Sequence, residues 1–187
     1  MLKFKFLISS LFFIQSIHLY AQEFSGKSLL LDAGFGIFEN TELEGIGLVH
    51  SIGAEFDVHD RIRIVPRFTF GGFVADADGG SNGHFVSRVL KLNVGADIVN
   101  YKSLSFVINA GILGNYSSGY KTGRNHNFFH TVYFAVGGSF GLRLMPTSAR
   151  FGCEFNLLEL MVSPFDEDVA DGVLFRTTLI YRLFKNE

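Results

Sequence analysis

Tryptophan is absent from the 187-residue chain, cysteine occurs once and proline three times, and charged residues make up only 18 %. Each scarcity removes a class of explanation. A single cysteine, Cys153, excludes an internal disulfide framework and an all-cysteine metal site, and is read as a small packed hydrophobe. Three prolines and a hydrophobic fraction of 48 % argue against disorder. A formal net charge of −2 supplies no basic footprint, so nucleic acid is not expected as a partner. Long apolar runs are missing too. The first one, Phe6–Ile14, is too short to span a bilayer as a helix, and Gln15, Ser16 and His18 interrupt its continuation.

What is abundant is Phe, with 22 residues, and Gly, with 21. The start MLKFKFLISSLFFIQSIHLYAQ places Lys3 and Lys5 before an apolar core and Ala21 before Gln22, the layout of a cleaved secretory signal peptide over residues 1–21. Residues 22–26 then form a short N-terminal segment, 27–184 the domain, and 185–187 a tail.

Past residue 26 the repeating signal is alternation, the mark of strands with one apolar face. Leu29, Leu31, Ala33, Phe35 and Ile37 oppose Leu30, Asp32, Gly34 and Gly36. Ile46, Leu48, His50, Ile52, Ala54, Phe56 and Val58 oppose a face with Ser51, Glu55 and Asp57. Ile62, Ile64, Pro66, Phe68 and Phe70 oppose Arg61, Arg63, Val65, Arg67 and Thr69. Four more runs follow, with apolar faces from Leu90 to Ile98, Leu104 to Ile112, Val132 to Leu142 and Phe151 to Leu157. Their other faces carry Lys91 and Asp97, then Ser105 and Asn109, then Ser139 and Arg143, then Arg150 and Glu154. The last run sets Phe175, Thr177, Leu179, Tyr181 and Leu183 against Leu174, Arg176, Thr178, Ile180 and Arg182.

These are eight strands of about ten residues, the length that crosses a bilayer at a tilt. The polar face is rich in small residues and charge, which suits a crowded lumen. The apolar face is large and aliphatic, which suits lipid. The expected fold is an all-β, eight-stranded, antiparallel up-and-down transmembrane β-barrel. Short links (Val58 to Asp60, Asn100 to Ser103, Met145 to Ser148) alternate with longer ones (FENTELEG, ADADGGSNGH, NYSSGYKTGRNHNF, VSPFDEDVADG), as periplasmic turns and external loops do. An even strand number puts both termini in the periplasm. The competing architecture is a secreted soluble barrel of lipocalin type, also eight-stranded.

The signal peptide, the eight alternating strands and the final strand ending LIYRLF resemble the small outer-membrane barrels of the OmpX and OmpA-barrel type. The Phe- and Gly-rich style is similar to the "outer membrane protein β-barrel domain" proteins of Bacteroidota. The resemblance covers about residues 27–184 and rests on patterns, so it specifies fold and location more than activity. It implies contact with outer-membrane lipid and lipopolysaccharide, and insertion by the barrel-assembly machinery through a C-terminal signal. Phe175, Leu179, Tyr181, Leu183 and Phe184 are the candidates for that signal, although Lys185, Asn186 and Glu187 follow where such chains often end on an aromatic.

Carried into the lumen, the frame puts Asp32, Glu55, Asp57, Asp97 and Glu154 against Arg61, Arg63, Arg67, Lys91, Arg143, Arg150, Arg176 and Arg182. Buried charges must pair, and inward acids such as Asp32 are the expected partners for the arginines of the last strand. The leading expectation is a non-catalytic, structural or accessory barrel plugged by these side chains, acting alone or as a small subunit of a larger outer-membrane complex. A narrow pore for ions or small solutes is the alternative. A lipid A-modifying enzyme is the second alternative, since His50, Ser51 and Glu55 lie close in sequence. Arg61, Arg63, Arg143, Arg150 and Arg182 predict a basic mouth at the turn end. Glu39, Glu42, Glu44, Asp76, Asp78, Asp166, Glu167, Asp168 and Asp171 predict an acidic rim at the other, where Lys121, Arg124 and His126 form one basic loop. No metal or cofactor is expected. DADGG lacks the acidic residue that completes a calcium loop, and His126 with His130 is weak spacing. The glycine-rich pieces do not join a strand to a helix, as nucleotide motifs do.

Overall fold

A computed structural model describes residues 28–40, 45–77, 81–121, 127–146, 148–162 and 172–183. The signal peptide, the segment 22–26, Phe184 and the tail lie outside the described residues. So do Glu42, Glu44, Asp78, Arg124, His126 and the acids between 166 and 171. Among the described residues every regular element is a strand: β1 (Leu29–Asn40), β2 (Gly45–His59), β3 (Ile62–Ala77), β4 (Ser81–Tyr101), β5 (Leu104–Lys121), β6 (Asn127–Leu144), β7 (Phe151–Val162) and β8 (Gly172–Arg182).

Each strand pairs antiparallel with its sequence neighbour, and β1 closes onto β8, with Leu30 opposite Arg182 and Asn40 opposite Gly172. Closure leaves no free sheet edge. The period-2 pattern explains which side each residue takes. Val65, Val107, Thr178 and Ile180 are sealed inside, whereas Leu48, Leu90, Ile112 and Phe134 stand on the outer wall. The small inner residues allow the closure. A barrel of eight strands has an interior just wide enough for side chains, so the bulk of Arg and Lys must be offset by glycines beside them.

Three expectations are corrected. The strands are longer than ten residues: β4 runs for 21 and β5 and β6 for 18 each. They extend through much of what reads as loop in ADADGGSNGH and NYSSGYKTGRNHNF, because antiparallel pairing continues to Ala77 opposite Ser81 and Lys121 opposite Asn127. The strict alternation of short and long links weakens accordingly. Residues 60–61, 102–103 and 145–150 join strands at one end, and 41–44, 78–80, 122–126 and 163–171 at the other. Third, β7 keeps the expected alternation from Phe151 to Leu157 but does not carry it further. It bulges between Asn156 and Glu159, where Asn156 faces Arg176 but Glu159 faces Leu174. One extra residue flips the facing of everything beyond it.

Candidate functional site

The lumen is where the polar residues gather, and its glycines decide how. Gly53 of β2 stands opposite Asp32 of β1 and opposite Arg67 of β3. A Cβ at position 53 would lie 2.6 Å from Asp32 Oδ2 and 2.9 Å from the Pro66 carbonyl oxygen. With no side chain there, the Arg67 guanidinium reaches over the middle strand and donates to both Asp32 oxygens at 3.0 Å each. Gly95 likewise leaves room for Arg63 beside it, whose Nε would be 3.1 Å from a Cβ at that position. The Gly53→Ala variant is therefore expected to push this ion pair apart and to cost about 1–3 kcal/mol. Its urea midpoint, set beside that of Gly114→Ala on the outer wall, checks this; equal midpoints would refute it.

The ion pairs form two groups. The larger lies toward the end where the 60–61 and 102–103 turns are. Glu55 is its hub, 3.3 Å from Arg63 Nε, 2.8 Å from Arg143 and 3.7 Å from Arg67. Each arginine has a second carboxylate: Arg63 pairs with Asp97 at 2.7 Å, Arg67 with Asp32, and Arg143 with Glu154. Asn156 donates to the free side of Glu154 at 3.1 Å. The smaller group sits nearer the other end: Lys91 and Arg176, the latter at 3.1 Å, share the single carboxylate of Glu159. Its surplus cation offsets the surplus carboxylate of the larger group. Five acids (Asp32, Glu55, Asp97, Glu154, Glu159) meet five bases (Arg63, Arg67, Lys91, Arg143, Arg176).

Beyond Glu159 the lumen turns apolar. Phe38, Val49, Val89, Leu113, Tyr133, Ala135, Met161 and Leu174 pack into one buried cluster. Between this cluster and Lys91 lies a void of about 20 Å³, also lined by Thr69, Ser87 and Asn115. That is room for roughly one water. Ser87 donates to Asn115 at 2.8 Å, and Asn115 donates to the Tyr133 hydroxyl.

The structure brings most of the anticipated charges together and rearranges others. Glu159, which lies past the alternation read over Phe151–Leu157 and is assigned by it to neither face, is buried and central. Arg176 pairs with Glu159 and not with Asp32, which Arg67 already occupies on both oxygens. Arg61 and Arg150 are exposed, because the chain has left the sheet for a turn at each point and alternation no longer applies. Asp57 is half-buried and accepts from Ser28, and Arg182, also half-buried, donates to the Ala149 carbonyl at 3.4 Å. Of the rim acids, Glu39 is exposed on β1, and Asp76 lies within β3, paired with Asn82.

Of the anticipated assembly residues, Phe175 and Leu179 are exposed on the outer wall, and Tyr181 tilts against Phe151 at 5.0 Å. Leu183 is half-buried. His50 is on the outer wall beside Phe70, ring centroids 5.6 Å apart, while Ser51 and Glu55 are sealed in the lumen. The barrel wall separates His50 from the other two. No group of three or more His, Cys, Asp or Glu capable of holding a metal occurs among the described residues.

No family model matches the chain, and no curated protein matches it. Solved structures do. Neisserial surface protein A matches with a TM-score of 0.59 and 10 % identity, over 84 % of this chain and 97 % of that one. The attachment invasion locus protein Ail of Yersinia pestis matches with a TM-score of 0.53 and 12 % identity, over 84 % and 97 %. A major outer membrane protein of Thermus thermophilus matches with a TM-score of 0.53 and 16 % identity, over 84 % and 100 %. At such identities the likeness is one of fold: the closed antiparallel barrel of small outer-membrane proteins.

Proposed function

We propose that this protein is a non-catalytic integral barrel of the outer membrane, exported by a cleaved signal peptide and closed along its axis by its own side chains. Its role is structural or accessory, alone or beside a larger outer-membrane complex. The observation that carries the reading is the inversion of polarity across the wall. Ten charged side chains are paired inside, and a continuous belt of Ile, Leu, Val and Phe is outside. Soluble monomers rarely expose contiguous apolar patches beyond a few hundred Å², whereas lipid requires one. The outer wall is then the surface that meets lipid and lipopolysaccharide, and the last strand is the part offered to the assembly machinery.

Two barriers in series support a closed lumen. An ion would have to break the charge network around Glu55 and then displace the cluster from Phe38 to Leu174. The expected result in planar bilayers is insertion without discrete conductance steps. Reproducible unitary steps would overturn the plugged lumen and favour the narrow pore.

A further inference from the structure

On the outer wall, β4, β5 and β6 carry a shallow trough of about 460 Å³. Leu90, Leu92, Ile112, Phe134 and Val136 form its sides and Gly114 its floor. The glycine is the cause. It pairs with Leu90 on one side and Phe134 on the other, and offers no side chain to fill the space between them. The size falls within the roughly 300–1,000 Å³ of small-molecule clefts.

One outward pair further along the same two strands, Arg88 faces Tyr116, its guanidinium carbon 5.5 Å from the ring centroid. Arg88 is exposed, and among the described residues no carboxylate pairs with it. β4 ends at Tyr101. Counting back along it to Arg88, at about 3.3 Å per residue and a tilt near 40°, sets the guanidinium roughly 30 Å from the turn end, just past an apolar band of about 25 Å. By the same count the trough straddles the band's edge, with Leu92 and Ile112 inside it and Leu90 and Gly114 at its rim, about 28 Å from the turn end. A guanidinium steadied over a ring, with an apolar trough beneath it, complements an anionic amphiphile. Arginine's planar fork suits phosphate oxygens, and its stem can lie along the apolar side.

We propose that this is a binding site for lipid A, with one acyl chain in the trough and a phosphate on Arg88. The inference rests on the reading of the chain as an outer-membrane barrel with the 78–80 and 122–126 connections outward. In that arrangement the site opens onto the outer leaflet, whose phosphate-bearing lipid is lipid A.

The test uses the full mature chain in nanodiscs of phosphatidylcholine doped with either lipid A or phosphatidylglycerol, read by native mass spectrometry after release. The wild type retains lipid A in preference to phosphatidylglycerol. Arg88→Gln lowers that retention roughly tenfold, the loss expected for one charge-assisted contact. Gly114→Leu lowers it by filling the trough. It should fold, because a Cβ at 114 would meet the Phe134 ring at ordinary contact distances of 3.5 and 3.8 Å. Retention unchanged in both variants, or phosphatidylglycerol held as well as lipid A, would overturn the site while leaving the membrane reading intact. A chain that never enters the nanodisc would overturn the membrane reading itself.

Discussion

Glu159→Ala is expected to lower the unfolding free energy by about 3–5 kcal/mol, the range for removing one partner of a buried ion pair. Its carboxylate is the one that Lys91 and Arg176 share, and both cations are sealed from solvent. Arg176 has no reserve: its Nε and Nη1 have no hydrogen-bond partner among the described residues. Loss of Glu159 therefore leaves two neighbouring positive charges facing each other in the lumen. Glu55→Ala is the informative contrast. Glu55 makes more ion pairs, yet each of its three arginines keeps another carboxylate, in Asp97, Asp32 or Glu154. Its removal leaves three acids against three bases, so its cost should be the smaller of the two. Urea titrations in detergent micelles, followed by far-ultraviolet circular dichroism since tryptophan is absent, give both values. The two-group account fails if Glu55→Ala proves the costlier change. It gains a second test from Lys91→Met, Glu159→Leu and Arg176→Met combined, which should recover much of the loss because an apolar replacement of a whole buried group is often neutral.

This residue also marks the limit of what the sequence could tell. Alternation is a strong signal where it runs unbroken, and it assigned Asp32, Glu55, Arg63, Arg67, Lys91, Asp97, Arg143, Glu154 and Arg176 to one face because period 2 leaves no other choice. A bulge shifts that period by one, and nothing local forces a reader to place it. The adjacent pair Leu157–Leu158, two large apolar residues where one should be polar, was the available sign. Arg61 and Arg150 went wrong for the opposite reason, since the pattern was carried past the last paired residue. Pairing partners were less legible still. Which acid meets which base depends on register between strands far apart in sequence, and on glycines such as Gly53 that let a side chain cross a neighbouring strand. The long loops shrank because their polar residues, Ser and Asn among them, can pair as well as turn. Sequence composition alone does not separate an extended hairpin above a barrel from a loop.

Ile52→Arg should separate a membrane wall from a water-facing one. Ile52 sits at the middle of β2, Gly45–His59, and is 57 % exposed between the outward residues Ala33 and Phe68. In a water-soluble barrel, an arginine at so exposed a site changes stability by no more than about 0.5 kcal/mol, as surface substitutions do. At a bilayer midplane the same change costs about 2–4 kcal/mol, because a guanidinium there loses its water and finds no anion. The companion is Glu39→Arg, exposed near the far end of β1. It should cost about 0–1 kcal/mol, as charges near the interface do. Unfolding free energies measured in phosphatidylcholine vesicles give the ratio between the two sites, which depends on depth and not on either residue's packing. Equal small costs at both positions would mean that the apolar belt does not face hydrocarbon, and would return the soluble barrel as the better account. A large cost confined to Ile52 would set the middle of β2 at the middle of the bilayer. It would also set Arg88, seven residues from the Ser81 end of β4, toward the headgroups, where the proposed lipid site requires it.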